Sequence, residues 1–484
     1  MITIPGSLQT VGDTEYFLAQ ERLTRRPGER YLGVRGPDRD FTDLHNSTEG
    51  VRYYALSEAN AAGMRQRLGW LNPASLGAGL SFGFGDRLGL ATPGHIQALR
   101  SVLGRQESAF KPVFAQQSVR ENARTERTPQ QVLDDAMWGA FQEGWGQPWG
   151  ADADHLKEVS SFSAFVRAGY SFFTVDPGDY VDAGADIESL SQLKVKAAAL
   201  PWDILHSNPD ENRAAYVGQS LNLDGMPLEV DEAAYLRAAA KYGQAIAHVA
   251  KMYWALLECK PDGFDFEVSV DETETPTSIL EHFYIASELK RLGVRWTSLA
   301  PRFPGRFEKG VDFIGDLVQL EREIAWHAAV VRFFGNYKLS LHSGSDKFSV
   351  YPLLARHAER NVHIKTAGTS YLEALRVIAG LDPALFRQIL ELARQRYPID
   401  RQSYHVSADE GQIPLAADLA DEALSGLLED FHAREALHVT YGSALAQFKP
   451  LIIKILEAHP QRYMETLRSH FERHLAPFIK QAGA

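Results

Sequence analysis

Two histidines stand at the ends of strand-like segments, each beside groups able to bind a cation. In Gly150-Ala-Asp-Ala-Asp-His-Leu-Lys, His155 follows Asp152 and Asp154; in Lys338-Leu-Ser-Leu-His-Ser-Gly-Ser-Asp-Lys-Phe, His342 precedes a Ser-Gly-Ser turn. A neutral imidazole is a good ligand for a divalent cation, and a neighbouring carboxylate can move a proton. On an extended strand alternate side chains share a face, so Asp154 and His155 reach one cavity only if the chain turns where the strand ends. Backbone N–H groups of the turn through Ser345 can hold an anion or a polar substrate, and Asp346 and Lys347 add both signs of charge. Either histidine alone reads as an ordinary satisfied polar residue. Together they point to one shared cation (zinc, manganese, nickel or similar), and to an enzyme rather than a binding module.

Other strand ends supply further groups. Phe264-Asp-Phe-Glu-Val-Ser-Val-Asp-Glu places Asp265 and Glu267 on one alternating face and ends in Asp271-Glu272. Glu267 is either a ligand, an acid–base group or half of an interior ion pair. Ser298-Leu-Ala-Pro-Arg-Phe-Pro-Gly-Arg-Phe-Glu-Lys-Gly offers Arg302, Arg306 and Lys309 for a carboxylate and Glu308 as a ligand. A catalytic metal wants three protein ligands and an open position, which gives the set His155, Glu308 and His342, with Glu267 as the alternative third. Phe82-Gly-Phe-Gly-Asp-Arg-Leu-Gly departs from the dinucleotide spacing, so no nicotinamide is expected. Its Asp86 and Arg87 grip substrate hydroxyls or a carboxylate, or else form a structural ion pair. Lys365, at the end of Asn361-Val-His-Ile-Lys, is a further substrate contact; a Schiff base there becomes unnecessary if a metal is present.

The elements that must position these groups recur as strand, turn, helix. Candidate strands are 81–85, 112–116, 150–155, 171–175, 264–270, 296–300, 338–342 and 361–365, most followed by helical patterns. Alternation of this kind implies parallel β-α-β units. Eight strands close a (β/α)8 TIM-type barrel, whose catalytic groups lie on the loops after the strands; an open doubly wound sheet is the runner-up. The barrel spans 80–380, with an insertion at about 180–260 after the fourth strand that borders the mouth. Residues 1–79 read as an N-terminal cap containing two strands and a helix capped by Ser57. Residues 381–484 read as a helical extension, either a separate layer or a homo-oligomer contact.

Composition narrows the class. A formal net charge of −12 argues against nucleic acid as a partner, and the basic patch Arg22 to Arg30 reads as solvated surface. A lone cysteine, Cys259, excludes an internal disulfide and fits a reducing cytoplasm. No leader peptide and no membrane span are expected from the apolar patterning.

The stretches Phe82 to His95, Gly150 to Lys157, Glu267 to Thr273, Ser298 to Phe303 and Leu339 to Phe348 resemble the tagaturonate epimerase family. That resemblance implies a metal-dependent isomerase acting on an unphosphorylated acid sugar, interconverting tagaturonate and fructuronate at C4. Asp154-His155, Asp265-Phe-Glu267 and His342-Ser-Gly-Ser345 are more faintly similar to class II metal-dependent aldolases, although no histidine stands in the sixth-strand loop. The implied chemistry is retro-aldol cleavage of C3–C4 and re-formation on the other face. Asp154 and Glu267 serve as the acid–base pair, and Arg87, Arg302 and Lys347 hold the substrate carboxylate. A true aldolase that releases its fragments, and a non-catalytic aldolase partner, are the rival readings.

Overall fold

Eight strands close into one parallel barrel: β1 (Ser81–Phe84), β2 (Lys111–Ser118), β3 (Gly150–Leu156), β4 (Phe172–Val175), β5 (Asp265–Ser269), β6 (Ser298–Ala300), β7 (Lys338–Leu341) and β8 (Val362–Thr366). Each strand pairs with the next in sequence, and β8 pairs with β1, which rules out the open sheet. The computed structural model describes residues 1–21, 29–104 and 110–479; most of the basic patch lies outside them.

Alternation along the strands decides what the barrel contains. On β5, Phe266 and Val268 are buried outside the sheet, where Phe266 meets Tyr253 at a centroid distance of 5.3 Å. Tyr253 belongs to the helix Glu232–Cys259, which Asp231 caps. The other register, Asp265, Glu267 and Ser269, points inward. Low in the barrel, Asp265 accepts from the backbone of Leu76 (2.5 Å) and Gly77 (3.0 Å), while the Lys338 ammonium donates to Gly77 O at 2.9 Å. The segment before β1 thus closes the N-terminal end, and the C-terminal end is left for chemistry. Serine caps set helix starts locally, as at Ser278, where the N3 residue Glu281 reciprocates.

The N-terminal region is a six-stranded antiparallel sheet followed by the helix Glu58–Arg67, capped by Ser57 as expected. Among its described residues none lines the cavities at the C-terminal mouth described below. The insertion after β4 lines a separate groove that meets those cavities at Glu272. Its Asp179 and Asp182, with Asp176, Glu272 and Glu274, line an open acidic groove of about 660 Å³.

The helical extension is not a detached layer. Helix Pro460–Ile479 packs on helix Thr92–Leu103 so closely that a Cβ on Gly94 would lie 2.7 Å from Leu467. No helix among the described residues is long and apolar enough to cross a membrane.

Candidate active site

The imidazoles of His155 and His342 come within 5.0 Å, centroid to centroid, on one rim of the barrel. His155 has φ +54°, and this left-handed residue at the end of β3 is the turn that carries Asp154 and His155 to the same side. Ser343, directly after His342, has φ +48°. Backbone strain of roughly 1–3 kcal/mol per residue persists where surrounding contacts over-determine it.

Each ring is turned by a carboxylate behind it. His155 Nδ1 lies 2.8 Å from Asp154 Oδ1, leaving Nε2 buried and without a hydrogen-bond partner among the described residues. His342 Nε2 lies 2.6 Å from Glu267 Oε1. If both rings donate backwards, His155 Nε2 and His342 Nδ1 keep their lone pairs, the latter 3.2 Å from Ser269 Oγ. Asp271 stands between them, 3.7 Å from the first and 3.1 Å from the second. An imidazole oriented by a carboxylate, with its other nitrogen free, is the usual arrangement of a metal-ligating histidine. Donor atoms of Asp154, His155 and His342 all fall within 4.8 Å of one another, as do those of His155, Asp176 and Glu272. The residues present therefore fit a divalent cation.

Electrostatics agree with the geometry. Burial opposes a charged ring, yet Asp154 and Asp271 hold His155 well above the ordinary histidine value. For His342, burial is likewise outweighed by Asp271 and Glu267, and its pKa rises to about 9. Burial would raise the Asp271 carboxyl, but His342 and His155 keep it well below the usual range. The pocket thus attracts positive charge, and a cation bound there displaces protons from the rings.

Beneath the imidazoles lies a ring of charge centred on Lys365. Its ammonium is 2.7 Å from each of Asp152, Asp154 and Glu267 and also donates to Thr174. Burial disfavours that ammonium, but the three carboxylates outweigh it and raise its pKa, which favours the protonated form over a Schiff-base nucleophile. Burial is also overcome at Asp154, where Lys365, His155 and His342 keep the carboxyl well below its usual value. Asp154 Oδ2 accepts from Gln116 at 3.2 Å, and both residues line the cavity. Glu267 is fully buried and lines neither cavity; it accepts from Ser298 (2.5 Å), Thr174 (3.2 Å), His342 and Lys365. Its position is that of a carboxylate beneath the imidazoles that orients His342 and does not face the cavity, whereas Asp154 does.

Three further expectations require correction. Glu308 is not a ligand: its carboxylate accepts from Ser407 N (2.9 Å) and Ser407 Oγ (2.8 Å), because its loop turns toward the C-terminal extension. Asp86 does not grip substrate, since it accepts from the backbone of Leu88, Gly89 and Ala91 and shapes the turn after β1. Lys347 is fully buried and donates to the carbonyls of Glu308, Val311 and Ser345, which ties two loops together. Its neighbour Asp346 is spent on Arg434 (2.9 Å) and His470 (2.5 Å). Arg87, Ser345 and Lys365 line a cavity of about 60 Å³, and Arg302 lines an adjoining one of about 120 Å³. Arg87 is neutralised there by Glu121 at 3.0 Å and stacks 3.5 Å above the Tyr441 ring.

Residues missed in the sequence fall into two kinds. Asp271 was visible at the end of the fifth strand, where a barrel places its functional groups, and its position alone was the signal. Tyr404 and His438 also line the cavities, but they come from the extension and carry no local mark.

The chain matches known proteins over nearly its whole length. The family model for tagaturonate epimerase matches residues 5–478. A tagaturonate/fructuronate epimerase of Thermotoga maritima is 46% identical over 431 residues, covering 88% of this chain and 87% of that one. The crystal structure of a fructuronate-tagaturonate epimerase from Cohnella laeviribosi with one glycerol bound superposes with a TM-score of 0.92 at 34% identity, covering 99% of this chain and 96% of the other. The native form of that protein gives a TM-score of 0.91 at 34% identity, over 98% and 96% of the two chains. Sequence and fold therefore agree along the same stretch: the chain belongs to the tagaturonate epimerase family, and is an enzyme of the isomerase class.

Proposed function

We propose that this chain is a divalent-metal-dependent epimerase that interconverts D-tagaturonate and D-fructuronate at C4 through cleavage and re-formation of C3–C4. The observation that carries the metal is the pair of imidazoles, each turned by a carboxylate so that its remaining nitrogen faces Asp271. His155, His342 and Asp271 would hold the ion. When bound, it supplies Lewis-acid stabilisation for the negative charge that builds on the ketone end of the substrate.

The two acids differ at a carbon two positions from the ketone, where the C–H proton is not acidified. Breaking C3–C4 avoids that problem. Asp154, held as a carboxylate by Lys365, takes the proton of the C4 hydroxyl. The C3–C4 electron pair moves to C3, and C4 becomes an aldehyde. The aldehyde fragment turns over its face, the bond re-forms, and Asp154 returns the proton to the C4 oxygen. Gln116 orients Asp154, while Glu267 and Lys365 fix His342 and Asp154 relative to each other. We place the reaction in the cytoplasm, in keeping with the lone, exposed Cys259.

The test is incubation of purified protein with each hexuronate, before and after chelation and on re-addition of zinc, manganese or nickel. Interconversion that is lost on chelation and restored by metal is expected. Full activity of thoroughly demetallated protein would sink the metal reading. Accumulation of free three-carbon fragments would favour an aldolase. In the same assay, Asp154→Asn is expected to keep its metal and fold while turnover falls by about 10²-fold or more; unchanged turnover removes Asp154 from the proton transfer.

A further inference from the structure

Resting on the hexuronate reading above, we infer that Arg120 and Lys309 form the seat for the substrate's carboxylate. Five cationic side chains line the two cavities: Arg87, Arg120, Arg302, Lys309 and Lys365. Two of them are already matched. Arg87 is paired with Glu121, and Lys365 is outnumbered by Asp152, Asp154 and Glu267. An anion gains little beside either.

Arg120 and Lys309 differ. Both approach the same carboxylate, Glu272 Oε1, at 3.8 Å, longer than a hydrogen bond. Two cations sharing one carboxylate leave one positive charge in excess, equal and opposite to that of a hexuronate. Both are reachable, with side chains 41% and 24% exposed. The Arg120 guanidinium lies 5.0 Å from the Tyr404 ring centre, and a fork held in this way suits a carboxylate. Lys309 Nζ also contacts Ser343 Oγ at 2.7 Å, which ties the seat to the residue following His342.

Position separates this pair from Arg302. Asp154 and His155 line the same cavity as Arg120 and Lys309, whereas Arg302 lines only the neighbouring one, which Lys309, Asp271 and His342 also line. The seat also meets a demand of the proposed reaction. The carboxylate belongs to the C4–C6 fragment, which must turn over at its aldehyde without escaping. Two donors gripping the far end let the aldehyde rotate while the fragment stays bound.

The probe is D-glycerate, a three-carbon monoanion like that fragment, with neutral glycerol as its matched control. Each is titrated by ligand-observed NMR into the metal-loaded wild type, Arg120→Gln, Lys309→Met and Arg120→Lys. The expected result is a tenfold or greater rise in the glycerate Kd for Arg120→Gln and for Lys309→Met. Glycerol affinity is expected to stay within twofold, and Arg120→Lys to retain much of the glycerate binding. Hexuronate KM should rise in parallel, with kcat changed far less. Glycerate affinity unchanged in Arg120→Gln and Lys309→Met, or glycerol affinity falling equally, overturns the seat; so does a wild type that binds no glycerate. Wild-type protein that binds glycerate through these residues but converts neither hexuronate keeps the seat and removes the epimerase reading.

Discussion

Asp271 is the side chain on which the ligand geometry turns. Its carboxylate reaches both imidazoles and is held by Ser269, so its removal leaves two rings without a bridging anion. Asp271→Asn is expected to lower bound divalent metal at least tenfold, measured by elemental analysis after dialysis. Glu308→Gln should leave metal content unchanged, because that carboxylate faces Ser407. The opposite pattern would restore the ligand set read from the sequence. Spacing alone could not separate the two acids, since both sit on loops that leave a strand end. What distinguishes them is the direction each loop takes.

At the scale of elements, the loop after β7 is anchored to the C-terminal helices rather than to substrate. Asp346 joins Arg434, His470 and, through its backbone N–H, His474 at 3.1 Å. The neighbouring arginine argues against a second cation there, although donor atoms of the carboxylate and both histidines lie within 4.8 Å of one another. Burial would raise the Asp346 carboxyl, but Arg434 and His470 hold it well below the usual aspartate value. A depressed folded pKa stabilises the protein above the unfolded value near 3.9 and ceases to do so as pH falls through the folded value. Asp346→Asn leaves Arg434 buried without its anion and is expected to cost about 3–5 kcal/mol at pH 7 in urea unfolding. The difference from wild type should narrow as pH is lowered below about 4. A gap independent of pH would show that the ion pair is not what anchors the loop.

For the whole molecule, the extension completes the barrel. Tyr441 lies under Arg87, Tyr404 and His438 face the cavities, and Leu467 fills the space left by Gly94. Division at residue 380 would strip apolar cover from the helix after β1, take Arg434 and His470 from Asp346, and remove the Tyr441 ring from Arg87. A chain ending at residue 380 is expected to be insoluble or aggregated on size-exclusion chromatography. A monodisperse and active product would show instead that the barrel is an independent unit.

The sequence by itself determined the eight strands, their strand–helix alternation, the two histidines and the family resemblance, because alternation and strand-end chemistry are local properties; closure of the sheet was decided by the pairing of β8 with β1. It also located Asp154 and Lys365, whose neighbours in the chain already placed them at a mouth. Only the tertiary structure decided which acid joins the histidines, that Glu267 lies beneath them, and that Asp86 and Lys347 are used up on backbone groups. Such assignments depend on contacts between segments hundreds of residues apart. Lys365 and Asp154, separated by 211 positions, meet at 2.7 Å only because the sheet closes on itself.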